Sequence, residues 1–319
     1  MRFGYFMSSE EFSPSELIDQ AKMAEAAGFE SLWISDHFHP WNDEQGESPF
    51  VWSMIGAISQ VCSLPITTAV TCPTVRVHPA IIAQAAATSA VLTDGKFVLG
   101  VGSGEALNEH ILGDVWPSAA TRLEMLEEAV DVIRQLFTGD VVDHRGSYYT
   151  VDHARLYTVP ATPPPIYISA FGPKACELAG RIGDGYCGTM PDAELLQAFR
   201  DAGGAGKPTQ GGVKVCYGAD ERAAVKSAHR LWANSGLPGE ASQILPTPEH
   251  FMQMSELVTE ESIAESVACG PDIAKHVDAI RPYIEAGYDE IYINQIGPDQ
   301  KAFFDAYERD VLPALRSKG

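Results

Sequence analysis

Short apolar segments alternate with amphipathic segments along almost the whole chain. The apolar segments that are suited to strands lie at 2–7, 31–35, 66–72, 97–102, 165–172, 185–190, 213–218 and 290–297. Between two of these segments, Leu126, Val130 and Ile133 recur at three- and four-residue spacings, which is the pattern of a helix with one buried face. Strands that alternate with helices are typical of βαβ units in a parallel sheet.

Helix boundary signals support this alternation. Ser13 precedes Pro14, and Glu16 occupies the capping-box position, so a helix is predicted to begin here and to stop at Gly28. Further helices are predicted from Pro79 to about residue 92 and over about 118–138. The segment VVDHRGSYYTV is suited to a small hairpin.

Eight such strand–helix units with short connections predict an α/β fold, a (β/α)8 TIM barrel with insertions. We expect one domain over residues 1–319, with insertions at about 103–118, 138–163 and 232–262. In a barrel of this kind, functional side chains gather at the carboxyl ends of the strands, so residues that follow different strands are expected to meet.

Charge and composition exclude several classes of partner. The net charge is −21, which disfavours nucleic acid and anionic membrane, since both require a basic surface. No apolar stretch reaches the roughly 18 residues that a membrane helix needs. The first residues, MRFGYFM, predict a strand rather than a secretory signal. The six cysteines form no Cys-x-x-Cys pair, which favours buried thiols in a reducing cytoplasm.

The segment ISDHFHPW places an unusual set of polar groups where the second strand ends. His37 and His39 lie two residues apart and could share one metal ion. The other strand ends bring no histidine, and Glu105 is the one ready carboxylate among them, so we favour a general base at His37 and a structural, hydrogen-bonded His39. No metal site is predicted.

Two glycine-containing segments suggest ligand contacts. GVGSGEALNEH lacks the spacing of a dinucleotide fingerprint, and its glycines fit the close approach of a flat ligand better. In SAFGPKACELAGR, Gly172 and Pro173 begin a helix whose free N–H groups, with Lys174 nearby, are suited to an anion. An ordinary helix start explains this second segment equally well.

The segments SDHFHPW, TCPTVRVHPAIIAQAAAT, LGVGSGEALNEH and GPKACELAGRIGDGY resemble the bacterial luciferase-like superfamily. More narrowly, they resemble the branch of the F420-dependent glucose-6-phosphate dehydrogenases, and the likeness spans nearly the whole chain. The resemblance implies a (β/α)8 barrel, usually a homodimer, that binds the deazaflavin coenzyme F420 at the carboxyl ends of the strands. It implies an enzyme that transfers a hydride between a small-molecule alcohol or carbonyl substrate and the coenzyme.

The resemblance also implies roles for individual residues. His37 would be the catalytic histidine, Trp41 its aromatic neighbour and Glu105 the acidic partner near the ring. The cofactor would contact Asp36, Cys72, Ser103, Gly104, Asn108, Phe171, Gly172, Lys174 and Ala175. Glu10 and Thr189 would face the substrate. A neutral imidazole at position 37 would accept the hydroxyl proton near pH 7.

The chain departs from the sugar-phosphate branch where that branch carries cations. Two family positions, a lysine and an arginine, fall on Asp192 and Ser266, and a further lysine falls near Ser242. Glucose 6-phosphate is therefore not expected as the substrate. The alternatives are an FMN-dependent luciferase-like monooxygenase, a metallohydrolase, and a non-catalytic protein that binds a flavin or deazaflavin.

Overall fold

The computed structural model describes residues 1–317, and within them eight parallel strands close into a barrel. In all, these residues form eleven strands: β1 (Arg2–Met7), β2 (Leu32–Ile34), β3 (Ile66–Thr68), β4 (Phe97–Val101), β5 (Val142–Arg145), β6 (Thr150–Ala154), β7 (Ile166–Ser169), β8 (Gly185–Gly188), β9 (Thr209–Cys216), β10 (Ala268–Cys269) and β11 (Glu290–Gln295). The ring runs β1–β2–β3–β4–β7–β8–β9–β11 and returns to β1, and each of its pairings is parallel. This confirms the predicted (β/α)8 barrel.

Helices follow the barrel strands; most of them cover the outside of the ring, and some lie at its mouth. They are α1 (Pro14–Ala26), α2 (Val51–Ile58), α3 (Pro79–Leu92), α4 (Ala106–Glu109), α5 (Ala119–Phe137), α6 (Pro173–Ile182), α7 (Ala193–Phe199), α8 (Glu221–Trp232), α9 (Ala241–Ile244), α10 (Pro248–Ser255), α11 (Glu260–Ser266), α12 (Ile273–Ala286), α13 (Gln300–Ala306) and α14 (Leu312–Arg316). The predicted hairpin is confirmed as the antiparallel pair β5–β6. No helix among residues 1–317 combines the length and apolar character that crossing a bilayer would demand.

Several predicted boundaries are wrong. β3 stops at Thr68 rather than residue 72, and beyond it Thr71 makes an isolated parallel bridge to Val101. β9 begins at Thr209 rather than residue 213, because its polar and glycine-containing start does not read as an apolar strand. Helix α2 was not predicted, since its sequence VWSMIGAI is almost entirely apolar and shows no helical alternation with polar residues.

The middle of the barrel is filled by aromatic side chains. Trp33 stacks on Tyr292 with ring centroids 4.5 Å apart, and Phe6 packs edge-on against Trp33 at 5.4 Å. Gly212 backs this layer, because a Cβ there would collide with the Trp33 ring. The barrel is therefore closed at its centre, and any ligand site must lie in the layer above, at the carboxyl ends of the strands.

A second apolar cluster lies outside the barrel core. It joins α8, α11, β10 and the loop after β11 through buried residues such as Trp232, Ile263 and Cys269, and Trp41 packs against it. The segment after β9 thus forms a cover that reaches one edge of the mouth. All six cysteines are buried free thiols, as predicted.

Candidate active site

His37 lies at the mouth of the barrel between two carboxylates. Its Nε2 is 3.3 Å from Glu10 Oε1 and 3.3 Å from Glu105 Oε1. The three side chains follow β1, β2 and β4, and they meet because parallel barrel strands all end at the same face. The side chains of His37 and Glu10 are 10% and 4% exposed, whereas Glu105 is 27% exposed and borders the opening.

Asn108, the third residue of the short helix α4, fixes the orientation of this group. Its Oδ1 accepts hydrogen bonds from the backbone N–H groups of Phe38 and His39, at 2.8 and 3.0 Å. Its Nδ2 therefore faces the other way, donating to Glu105 Oε1 at 2.7 Å and lying 3.1 Å from His37 Nδ1. The same Nδ1 is 3.1 Å from the carbonyl oxygen of His39, which suits an N–H at this position.

The charges around His37 favour its protonated form. Burial by itself lowers the pKa of His37, but the negative charges of Glu10 and Glu105 together outweigh burial and raise it above its ordinary value. Burial raises the pKa of the Glu105 carboxyl, and the neighbouring His37 opposes that rise. A proton on His37 Nε2 therefore has two carboxylates within reach.

Trp41 forms an aromatic wall beside the imidazole. The rings of His37 and Trp41 have centroids 5.0 Å apart at an interplanar angle of 59°. Trp41 packs edge-on against Phe251 of α10, with centroids 5.1 Å apart. The cover after β9 thus holds the indole in place, which limits how a substrate can approach His37.

Asp36 belongs to a buried ion-pair network that the sequence did not reveal. Its Oδ1 accepts from Arg76 Nη2 at 3.0 Å and its Oδ2 from Thr71 Oγ1 at 2.8 Å. Arg76 also bonds Glu109, through its backbone N–H at 2.7 Å and its Nε at 3.4 Å. Burial alone lowers the pKa of Arg76, but both carboxylates outweigh it and raise the value. Both missed residues lie within the quoted motifs TCPTVRVHP and GEALNEH.

Cys72, Ser103 and Gly104 lie together on the β3–β4 side of the mouth. Cys72 is buried, and its Sγ is 2.9 Å from Thr74 Oγ1. Burial raises the pKa of this thiol well above its ordinary value, so it is inert as a nucleophile. Gly104 has a φ of +78°, and a Cβ there would collide with Cys72 Sγ, so only glycine fits this turn. Ser103 is half-buried beside it.

The start of α6 offers free backbone donors on another side of the mouth. Gly172 is the N-cap, and an added Cβ there would meet nothing within 4 Å. Within residues 1–317, no acceptor pairs with the backbone N–H groups of Lys174 or Ala175. Phe171 is 50% exposed and Lys174 is also exposed. This open helix start can receive an anionic group.

Three residues that the sequence analysis connected with the substrate have local tasks here. Asp192 caps α7, accepting from the N–H groups of Glu194 and Leu195 at 2.9 and 3.1 Å. Ser266 donates back to the carbonyls of its own helix, α11. Thr189 is exposed after β8, and its carbonyl accepts from Tyr283 at 2.8 Å.

Lys214 is a further cation at the mouth that sequence reasoning missed. Its Nζ lies 4.8 Å from the centroid of the Trp232 ring. Burial lowers the pKa of Lys214, and the negative charge of Glu10 opposes that change. A lysine at an alternating position inside the apolar segment VKVCYG was the available signal, since lysine is rarely buried without a partner.

His39 does not act together with His37. Its Nδ1 is 2.9 Å from the carbonyl oxygen of Leu107, and its ring stacks on His110 at 5.9 Å. The two imidazoles therefore face different partners. In the part of the chain that the structure describes, no group of three or more His, Cys, Asp or Glu side chains is arranged to hold a metal ion.

Comparison with known proteins identifies the family. The family model described as luciferase-like monooxygenase matches residues 1–290. The F420-dependent glucose-6-phosphate dehydrogenase of Nakamurella multipartita is 38% identical over 330 residues, which cover 99% of this chain and 97% of that protein. The protein of the same name from Microbacterium testaceum is 38% identical over 331 residues, covering 100% and 98% of the two chains.

A solved structure extends this result to the fold. An F420-dependent secondary alcohol dehydrogenase, in complex with an F420–acetone adduct, has a TM-score of 0.92 to this chain at 32% identity, and the match covers 99% of both chains. The resemblance read from the sequence motifs is confirmed. The family model matches the barrel from its first strand and includes the His37 segment. The chain therefore belongs to the luciferase-like monooxygenase family.

Proposed function

We propose that this protein is an F420-dependent oxidoreductase that transfers a hydride between an alcohol or carbonyl substrate and the deazaflavin coenzyme. The observation that carries the proposal is the placement of His37 Nε2 between Glu10 and Glu105 at an open barrel mouth, with Trp41 beside it. Relatives that cover the whole chain are F420-dependent dehydrogenases, which supports the choice of coenzyme.

The residues at the mouth fit such a coenzyme. The open start of α6, formed by Phe171, Gly172, Lys174 and Ala175, would hold its phosphate end. Its ring would be lined by Cys72, Ser103, Gly104, Asn108 and the Asp36–Arg76 pair. When bound, a deazaflavin supplies a ring carbon that accepts or gives a hydride. The positive charge at α6 also explains how a chain of net charge −21 could retain an anionic coenzyme.

His37 would move the proton that accompanies the hydride. In the direction of alcohol oxidation, its Nε2 accepts the hydroxyl proton once the imidazole is neutral. The neighbouring carboxylates, Glu10 and Glu105, can take the proton from Nε2 at 3.3 Å and so regenerate the base. Glu105, more exposed and with a raised pKa, would serve the ring as a proton donor or acceptor. Trp41 and Thr189 would position the substrate.

Glucose 6-phosphate is not the substrate that we propose. Two of the cations expected to bind its phosphate are replaced by Asp192 and Ser266, and the third falls near Ser242. The side chains of Asp192 and Ser266 already serve helix ends. A dianionic phosphate placed near Asp192 would be repelled and would lack a bidentate partner. A smaller or less anionic alcohol fits these positions better.

We also propose that the protein is a cytoplasmic homodimer. Six free, buried thiols fit a reducing compartment. Apolar side chains are exposed next to α2 and on α3, among them Phe50, Ile81, Val91 and Leu92. A second copy of this surface would bury them. Light scattering after size exclusion should give twice the 34.4 kDa mass of one chain; a mass of one chain would refute the dimer.

Two measurements test the proposed function. The purified protein should bind F420 more tightly than FMN, as followed by cofactor fluorescence, and a panel of alcohols should bleach the F420 absorbance. His37→Ala should keep F420 binding within a few-fold and slow turnover by about 10²–10⁴-fold. Preference for FMN with oxygen consumption would instead support a monooxygenase. Tight F420 binding without turnover on any compound would support a binding protein.

A further inference from the structure

Lys214 lies on the inner face of the barrel, one layer above the aromatic filling. Side chains alternate along a strand, so Gln210, Gly212 and Lys214 of β9 share one face. Gln210 is inside the barrel, where its Oε1 accepts from Trp33 Nε1 at 2.8 Å. Gly212 touches the same indole. Lys214 therefore emerges at the level of the mouth, on the inner side.

The layer that contains Lys214 has unused hydrogen-bonding capacity. Asn294 pairs with Lys214 in the β9–β11 register, and its Nδ2 donates to Phe6 O and Ser8 Oγ. Its Oδ1 is buried and has no donor among residues 1–317. In the same range, no hydrogen bond or ion pair to Lys214 Nζ is formed, although the charge of Glu10 is close enough to oppose the fall in the pKa of Lys214.

An ammonium group in this state is costly. Partial burial removes some of the water around the charge, and the face of Trp232 offers a weaker interaction than a carboxylate does. Arg76 cannot substitute for Lys214, because it is already paired with Asp36 and Glu109. Lys174 is exposed on another side of the mouth, at the start of α6, so Lys214 is the one half-buried cation at the mouth, within the described part of the chain, that the protein leaves without an anionic partner.

We infer that Lys214 binds a carboxylate of the substrate and so selects monoanionic hydroxy acids, or keto acids in the reverse direction. The inference rests on the proposed function and names the substrate class of the same site. His37 would contact the carbinol oxygen, and Lys214, beyond Glu10, would hold the far end of the same molecule. One free cation matches one negative charge, whereas a phosphate dianion would lack the further cations that Asp192 and Ser266 replace.

The test compares hydroxy acids with their neutral amides. 2-, 3- and 4-Hydroxypentanoate and the three matching amides are assayed with F420, because each pair differs in charge but hardly in shape. For at least one pair the acid should exceed the amide in kcat/KM by about 10- to 100-fold, the range of a hydrogen bond to a charged group. Lys214→Met should remove this preference by raising KM for the acid, and should leave kcat/KM for the amide within about 3-fold of the wild type. Lys214→Arg should keep part of the preference for the acid.

Other outcomes overturn the inference. If the wild type prefers the amides, Lys214 does not select a carboxylate. If Lys214→Met lowers turnover of acid and amide equally, Lys214 acts only through the charge of Glu10. If no compound of any kind bleaches F420, the proposed function fails; turnover of neutral alcohols alone leaves that function intact and removes only this inference. Calorimetry with the cofactor-free protein gives a second readout: pentanoate should bind more tightly than pentanamide, and Lys214→Met should abolish the difference.

Discussion

Two half-buried cations, Arg76 and Lys214, lie at the same barrel mouth, one paired with carboxylates and the other unpaired within residues 1–317. Arg76 bonds Asp36 at 3.0 Å and Glu109 through two groups, and its side chain is 8% exposed. Lys214 rests against the Trp232 ring and meets no carboxylate at ion-pair distance within residues 1–317. The first charge is satisfied by the fold and holds the β2, β3 and β4 loops together. The second lacks a counter-charge among the described residues, which leaves it available to an anionic ligand.

Replacing the two cations should therefore affect stability very differently. Arg76→Met leaves Asp36 and Glu109 buried without a counter-charge and should lower the free energy of unfolding by about 3–5 kcal/mol. Lys214→Met removes a desolvated charge and should change it by less than about 1 kcal/mol, or raise it. Urea denaturation followed by circular dichroism measures both. Equal losses for the two variants would show that Lys214 is also a structural charge.

Glu10 connects the Lys214 region with His37, so its charge should be visible in the pH dependence of catalysis. Alcohol oxidation needs neutral His37, and the raised pKa of His37 moves the rising limb of kcat/KM to higher pH than an ordinary histidine would give. Glu10→Gln removes one of the two charges that raise this pKa, so the limb should move to lower pH. Glu16→Gln, at an exposed position of α1, is the matched control and should not move it. If the limb stays in place in Glu10→Gln, the base that titrates in the pH profile is not His37.

Lys174 is a third cation at the mouth, and unlike Arg76 and Lys214 it is exposed to solvent. If it supports the anionic end of the coenzyme at the start of α6, Lys174→Ala should weaken F420 binding by about 2- to 5-fold, because an exposed charge at a helix start contributes little. The loss should shrink at high salt. Fluorescence titration measures the dissociation constant, with Lys226→Ala on α8 as the control. If both variants weaken F420 binding equally, the effect comes from the net charge of the protein rather than from a local contact with Lys174.

The sequence predicted the fold and the residues that meet at the mouth, but it did not predict how the charges of those residues are paired. Short apolar segments located the barrel strands, helical spacing and caps located several helices, and the strand-end rule predicted that Glu10, His37 and Glu105 lie at one face of the barrel. The exact ends of β3 and β9 were wrong, since strand ends depend on which neighbours pair and not on apolar residues alone. Helix α2 was missed because its sequence is almost entirely apolar and shows no alternation of apolar and polar residues.

What the chain by itself determined is which chemical groups stand at the strand ends, because alternation, caps and glycines are local properties of sequence. What only the tertiary structure decided is how those groups share charge. The raised pKa of His37 requires Glu10 and Glu105 at 3.3 Å, contributed by loops after β1 and β4. Likewise, contacts between distant segments give Arg76 buried acceptors and, over residues 1–317, give Lys214 no acceptor. Electrostatic energy depends on distance and burial in space, and neither quantity is fixed by position along the chain.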